Sequence, residues 1–375
     1  MVPKKGVSPY RMRLHPHLRE IPLCLRRSVS KASNMKIPKW VKRVAVAIFA
    51  LVALLLITGF VFESISRYNA GKIIPNGRFA EVGHHRLHYL QKGTGSPTIV
   101  FETAFDPAGH LQWFNMQQVL AAYTTTISYD RAGILWSERG GNPKTGDKIA
   151  EELHLLLEKS GAPKPYILVG HSLGGVLTRF FVRKYPHDVA GVILIDSQHP
   201  DNEKFLSPEL SKMVNQGLPG GFLKFANAFG LARLMFGNMF PQNGQYTYQN
   251  SIMPALLHKS AYAVLEEQDG MPSIKKEASK IRSFGSIPLC VISATDENRF
   301  DSFIKDEKLK AEMVAAWDKM QKDQLGLSAI SRQILVPNSG HYINQDQPKA
   351  IEEAVKAMIL TTRHKKPTPL GQLAQ

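Results

Sequence analysis

The chain has 375 residues, 43% of them hydrophobic, and only two cysteines, so it can bury a large core and its fold must hold without a disulfide framework. Its formal net charge of +16 raises the question of nucleic acid, but residues 1–43 hold twelve Lys or Arg against the single acid Glu20, and the remainder carries only a small positive excess. A basic surface module with interleaved aromatics is absent from that remainder, which argues against nucleic acid as a partner.

The basic stretch 1–43, rich in Pro and Arg, reads as a disordered segment. It is followed by VAVAIFALVALLLITGFVF, Val44 to Phe62, nineteen residues without a charge. As a helix this run is about 28 Å long at about 1.5 Å per residue, the thickness of a bilayer's hydrocarbon, and predicts a transmembrane anchor. Lys36, Lys39, Lys42 and Arg43 precede it, whereas only Glu63 and Arg67 follow closely. That bias places the N-terminus in the cytoplasm and the bulk of the chain outside it. Secretion after signal cleavage is the alternative, disfavoured because the apolar run is longer than a usual signal core and no small-x-small site lies between Gly59 and Gly71. Cys24 and Cys290 would then lie on opposite sides of the membrane, where they cannot pair.

A polar connector over 63–77 leads to two alternating runs, Arg78–Val82 and Arg86–Leu90, joined by Gly83-His84-His85 and expected to form a hairpin. Metal binding by His84, His85 and His88 lacks a companion carboxylate or cysteine at matching spacing, so a solvated hairpin is the expected reading. The later runs, Thr98–Phe101, Thr124–Tyr129, Ile167–Val169, Val192–Ile195, Leu289–Ile292 and Gln333–Val336, are mostly continuously apolar, as in strands covered on both faces. Helical periodicity over Asp147–Lys159 and Val176–Lys184 alternates with them, which predicts a mostly parallel central sheet flanked by helices. Residues 197–286 break the alternation. Without a buried strand and rich in Leu, Phe and Met, they are expected to be a helical lid inserted into the sheet domain. Further helices are expected over Asp306–Gln324 and Gln347–Thr361. The division is therefore a core of 78–196 plus 287–365, a lid of 197–286 and a tail of 366–375.

The chemistry centres on Gly170-His171-Ser172-Leu173-Gly174. A G-x-S-x-G spacing between a buried strand and a helix puts glycines where a sharp turn leaves no room for a Cβ, and raises the serine hydroxyl above the sheet edge. Ser172 is the candidate nucleophile, and the Leu173 N–H at the helix start is a candidate oxyanion donor. A serine needs a base, and the base needs a carboxylate to fix its tautomer. His341, just past the last strand, is the candidate base. Asp296, after the penultimate strand, is the favoured acid, and Asp196, at the end of the preceding strand, is the alternative. The side chain of His171 is expected to point away from the hydroxyl.

With these residues in view the chain resembles the α/β-hydrolase superfamily, specifically bacterial membrane-anchored serine α/β-hydrolases. The resemblance runs from about Gly77 to the end through Gly83–His88, Thr98–Glu102, Tyr129–Gly133, the serine motif, Leu194–Pro200 and Gly340-His341. Two departures stand out. Where relatives have a glycine-rich oxyanion loop this chain has Glu102-Thr103-Ala104-Phe105-Asp106-Pro107, leaving Phe105, or alternatively Ala104, as the second donor. Where relatives have D-R-x-G-x-G-x-S, Leu135 replaces the second glycine and reshapes the pocket wall. The resemblance implies the α/β-hydrolase fold, a carboxylesterase-like serine hydrolase acting on esters with an apolar acyl or aromatic group, and no metal or organic cofactor. A serine at the nucleophile position argues against the epoxide hydrolase and haloalkane dehalogenase branches, which require a carboxylate there. A proline iminopeptidase-like aminopeptidase, with Glu266 and Glu267 receiving a free amine, is one alternative. A non-catalytic hydrolase-like binding protein is another. The expected partners are a small-molecule ester and, through Val44–Phe62, a membrane; nothing in the sequence fixes an oligomeric state.

Overall fold

A computed structural model describes residues 38–217 and 219–364. The expected segment 1–43 therefore lies mostly, and the tail 366–375 wholly, outside the described residues. The chain divides into two units, one through Ala53 and one from Leu54 onward.

Helix α1 (Lys39–Ala70) contains the apolar run and extends beyond it. The polar connector expected from residue 63 is thus helical for its first two turns. Glu63 and Arg67 form an i,i+4 ion pair, and both also bond to chain further on, which extends the helix past its apolar part.

Eight strands follow: β1 (Arg78–Glu81), β2 (Arg86–Lys92), β3 (Thr98–Glu102), β4 (Thr126–Tyr129), β5 (Tyr166–His171), β6 (Val189–Ile195), β7 (Leu289–Ala294) and β8 (Ser331–Val336). They form one sheet in the order β1-β2-β4-β3-β5-β6-β7-β8. The first two join antiparallel and the rest run parallel. Strands β3, β5 and β7 are buried throughout, because helices cover both faces. Successive side chains point to opposite faces, so alternate residues feed two cores. Val100, Leu168, Val192 and Val291 enter the core shared with α3 (Gly146–Ser160) and α4 (Leu173–Lys184). Ile99, Ile167, Ile193 and Ile292 enter the other, closed by α2 (Phe114–Leu120) and α11 (Pro348–His364).

Between β6 and β7 the described chain is helical: α5 (Pro208–Asn215), α6 (Gly220–Ala228), α7 (Leu231–Phe236) and the long α8 (Thr247–Ala278). Two further helices, α9 (Glu307–Asp323) and the short α10 (Ile343–Asp346), flank β8. α5 and α9 share an apolar cluster of Leu206, Leu210, Phe300, Met313 and Trp317, which fixes the position of Trp317 beside the end of β6.

The β5–α4 corner is the tightest point. A Cβ on Gly174 would lie within 2.4 Å of the Glu102 carbonyl oxygen, and one on Gly170 within 2.7 Å of Gly174 backbone. Gly174→Ala therefore pushes β3 away from the corner. The expected cost is about 1–3 kcal/mol or more, read as a lowered urea midpoint at an unchanged slope.

Candidate functional site

At the corner Ser172 adopts φ 52° and ψ −117°, a conformation that L residues rarely take. It is held there from both sides. The Ser172 N–H donates to the Ile195 carbonyl, and the Ser172 carbonyl accepts from the Gln198 N–H, at 3.1 Å each. Ser172 is 4% exposed, and Leu173, first residue of α4, has no carbonyl one turn back to receive its N–H. Among the described residues no hydrogen bond joins the Ser172 hydroxyl to His341; such bonds are often long before substrate is bound.

His341 lies in the loop after β8. Its Nδ1–H donates to Asp196 Oδ2 at 2.7 Å, which leaves Nε2 with the lone pair. Asp196 Oδ1 accepts from the Ala294 N–H at 3.2 Å and from the Trp317 indole N–H at 3.0 Å. With three donors, this buried carboxylate needs no further partner. The favoured acid of the sequence reading, Asp296, is not paired with His341. Its Oδ1 caps its own turn, accepting from the Asn298 N–H at 2.8 Å. The physical reason is strand order: β6 lies next to the serine's strand, and Asp196 takes φ 38° there as the chain leaves the sheet. The alternative, Asp196, is the one in place.

The loop after β3 is built around a side chain that the sequence reading passed over. Gln112 Oε1 accepts from the Ala104 N–H at 3.0 Å. Its amide nitrogen donates to His171 Nδ1 at 2.5 Å, and His171 Nε2–H donates to the His341 carbonyl at 2.8 Å. One buried relay thus ties the β3 loop, the serine corner and the histidine loop together. His171 does point away from the hydroxyl, and burial, then the nearby His341 charge, holds its pKa well below the ordinary value, so it stays neutral. The Ala104 N–H is thus occupied, whereas no hydrogen bond is seen for the N–H of Phe105 or Leu173 among the described residues. No spacing signals Gln112; it is recognisable only once the η-turn Gly109–Trp113 is seen folding back beneath the loop.

Asp106, 4% exposed in the same loop, accepts the Ala108 N–H on Oδ1, and its Oδ2 has no partner. Burial raises its pKa. It lines a cavity of about 10 Å³ with Gln112, Met239, Phe240 and Tyr342, room for about one water. Met239 and Phe240 come from the inserted helical stretch and cover this point. A larger cleft of about 480 Å³, lined by Ser96, Pro97, Val189, Pro288 and Arg363, lies at the opposite, N-terminal ends of the parallel strands, away from the end where open α/β sheets bind ligands.

Arg131 anchors the loop from below. Its guanidinium, 3% exposed, donates to Glu102, to the Thr103 hydroxyl and carbonyl, to the Ala104 carbonyl, and to both Glu267 oxygens at 2.7 and 2.9 Å. Glu102 also accepts the Tyr129 hydroxyl at 2.5 Å. Glu267 is therefore consumed by Arg131, and Glu266 pairs with Arg139. Glu267 is buried with both its oxygens bonded to Arg131, and Glu266 is half-buried.

A family model for the alpha/beta hydrolase fold matches residues 97–346. The chain belongs to this family. Among curated relatives, an uncharacterized protein of Bacillus subtilis, YqjL, is 25% identical over 271 residues, 72% of this chain and 86% of its own. A second, YbdG of the same organism, also uncharacterized, is 26% identical over 181 residues, 46% of this chain and 53% of its own. Among solved structures, epoxide hydrolase CorEH superposes with a TM-score of 0.58 at 16% identity, covering 76% of this chain and 98% of its own. An esterase from Thermogutta terrifontis gives 0.51 at 20% identity, covering 74% and 94%. These likenesses show the shared fold.

This alpha/beta hydrolase also buries a second charged hub. His88 and His110 each donate Nδ1–H to Asp130 at 2.8 Å, to Oδ2 and Oδ1 respectively, and Oδ1 accepts the His110 N–H as well. The hairpin histidines are thus not uniformly solvated: His84 is exposed, but His85 and His88 are buried. β2 turns His88 inward, opposite Asp130, a carboxylate too distant in sequence for spacing to reveal. His88, His110 and Asp130 are the group among the described residues with donor atoms close enough to share a metal. Both Nδ1 atoms, however, are committed as donors to the carboxylate, and a Cβ on Gly77 would meet His88 Nε2 at 2.4 Å. The carboxylate and both Nδ1 atoms are thus hydrogen-bonded, while the Nε2 atoms of His88 and His110 are buried without a partner. Burial alone would raise the Asp130 carboxyl, but the charges and hydrogen bonds of His110 and His88 outweigh it and hold it below the usual carboxylate range.

Since the folded pKa is depressed, the stabilisation from ionised Asp130 is complete above the unfolded value of about 3.9 and is lost as pH falls through the folded value. Asp130→Asn is expected to cost about 3–5 kcal/mol near pH 7. The gap to wild type should narrow below about pH 4, as read from urea unfolding across pH.

Proposed function

We propose that this alpha/beta hydrolase is a serine hydrolase that cleaves carboxylic esters through an acyl-enzyme on Ser172. One observation carries the reading: a buried, fully bonded carboxylate, Asp196, fixes the tautomer of His341 on the loop that is wired to the serine corner. In this mechanism His341 Nε2 removes the Ser172 proton as the hydroxyl oxygen attacks the ester carbonyl, and returns it to the departing alcohol. Asp196 stays ionised and stabilises the imidazolium. The Leu173 and Phe105 N–H groups receive the oxyanion. Water, deprotonated by the same nitrogen, then attacks the acyl carbon, and the serine leaves with the proton restored to it. Residues 197–286 act as the lid, and the apolar Met239 and Phe240 over the cavity favour an apolar acyl or aromatic group. The apolar helix within α1 is read as an uncleaved anchor that leaves the hydrolase unit outside the cytoplasm.

An aminopeptidase reading draws no support from Glu267, whose oxygens Arg131 holds. Wild type should label with a fluorophosphonate probe and Ser172→Ala should not; absence of labelling in wild type would leave the binding-protein reading in its place. Hydrolysis of short p-nitrophenyl esters should exceed that of proline arylamides. Asp196→Asn is expected to lower kcat by about 10³–10⁴-fold, and Asp296→Asn to leave it within about three-fold, because only the former carboxylate touches the base. Equal losses in the two variants would refute the assignment of the acid.

A further inference from the structure

The last turns of α1 do not stand free of the insertion. At Gly59 a Cβ would lie 2.6 Å from the Phe229 carbonyl oxygen, so helix and loop backbone meet there with no side chain between them. The Phe60 and Phe229 rings lie 6.4 Å apart. One turn further, Glu63 is buried and accepts from Arg233 at 3.1 and 3.2 Å and from Arg67 at 2.9 Å, and Arg67 donates to the Asn227 carbonyl at 2.8 Å. The α6–α7 corner, Phe229-Gly230, is thus clamped onto residues 59–67.

That contact sets a depth. Gly59 and Phe60 belong to the uncharged run that ends at Phe62, so the corner reaches about 5 Å, one turn, past the end of the apolar segment. The outer faces of both short helices carry large apolar side chains in the open: Phe222 and Phe225 on α6, and Leu231, Leu234 and Met235 on α7, with Leu234 74% exposed. Their spacings, i,i+3 and i,i+3,i+4, put each set on one face. Residues of α1 beside the corner, Val61, Phe62 and Ile65, are exposed as well. A Cβ on Gly230 would lie 3.4 Å from the Phe62 ring, so the corner borders this surface of α1.

We propose that the outer face of α6–α7 lies in the interfacial layer of the bilayer that α1 enters, making the lid a membrane-seated element. This rests on reading α1 as an anchor and not on the ester chemistry. An apolar helix face at the end of a span has lipid as its solvent, and amphipathic helices bury such faces about 5–10 Å into the headgroup and acyl boundary. Exposed to water instead, these side chains would form an apolar patch of the kind soluble surfaces avoid. Lys224, exposed on α6 between Phe222 and Phe225, sits where a cation meets phosphate headgroups. The same stretch of chain continues into Met239 and Phe240, which close the cavity at Asp106.

The test uses the full chain in phosphatidylcholine vesicles. In a Cys24→Ser background, with the buried Cys290 unreactive, Leu234→Cys and, separately, Ile330→Cys carry an environment-sensitive nitrobenzoxadiazole dye; Ile330 precedes β8 at the opposite end of the sheet. Lipids bearing a headgroup-proximal spin label should quench the dye at 234 by about two-fold or more and leave the dye at 330 unchanged. If carbonate fails to extract the protein yet the dye at 234 is not quenched, the anchor stands and the lid proposal falls. If carbonate extracts it, the anchor reading fails and takes the proposal with it. Dye self-quenching at 234 without lipid quenching would assign the face to a second copy of the chain and overturn the proposal. These outcomes are read without any assay of turnover.

Discussion

No side chain fits at positions 170, 174 and 175, and the architecture of the site follows from that exclusion. Added carbons there would strike the backbone of the corner itself, the Glu102 carbonyl and the Ser197 hydroxyl. Their absence lets β3, β5 and β6 converge at their C-terminal ends around one residue in a strained conformation. Ser172 pays for its φ of 52° with hydrogen bonds on both its N–H and its carbonyl, and these come from the end of β6 and the chain just beyond it. The neighbouring strand thereby does two things at once: it stabilises the corner and delivers Asp196 to His341.

Around this corner the hydrolase spends its buried polar groups on rigidity. Asp130 and Arg131 are adjacent in sequence but serve different hubs, one gathering two histidines and the other bonding Glu102 and Glu267. Each charge is met by several donors or acceptors, the condition under which buried ions are tolerated. The Gln112–His171 relay adds a neutral link between the loop that would receive an oxyanion and the loop that carries the histidine. Leu135 shows the same rigidity by different means. It takes a positive φ of 40°, and its N–H donates to the Ser260 hydroxyl of α8.

The sheet, its order of elements and the serine corner were legible because each leaves a periodic or spacing signal: continuous apolar runs for β3 to β7, and paired glycines about Ser172. The helical stretch between β6 and β7 was legible from what it lacked. The carboxylate that pairs with His341 was not, since Asp196 and Asp296 both follow apolar strands and only the placement of β6 next to β5 separates them. Gln112, His110 and the burial of His88 were hidden for a related reason. Their partners are His171 and Asp130, reached through folding and not through spacing. The helical continuation past Phe62 depended on Arg233, 170 residues beyond Glu63.

Arg131, just after β4, joins the loop after β3 to α8 through its bonds to Thr103, Ala104 and Glu267. A transplanted insertion from another hydrolase would therefore bring more than a new roof: unless it supplied a carboxylate at the place of Glu267, it would strand a guanidinium in the protein interior and loosen the floor beneath Ala104. In this chain the seating of α8 and the stability of the core are written partly in the same residues.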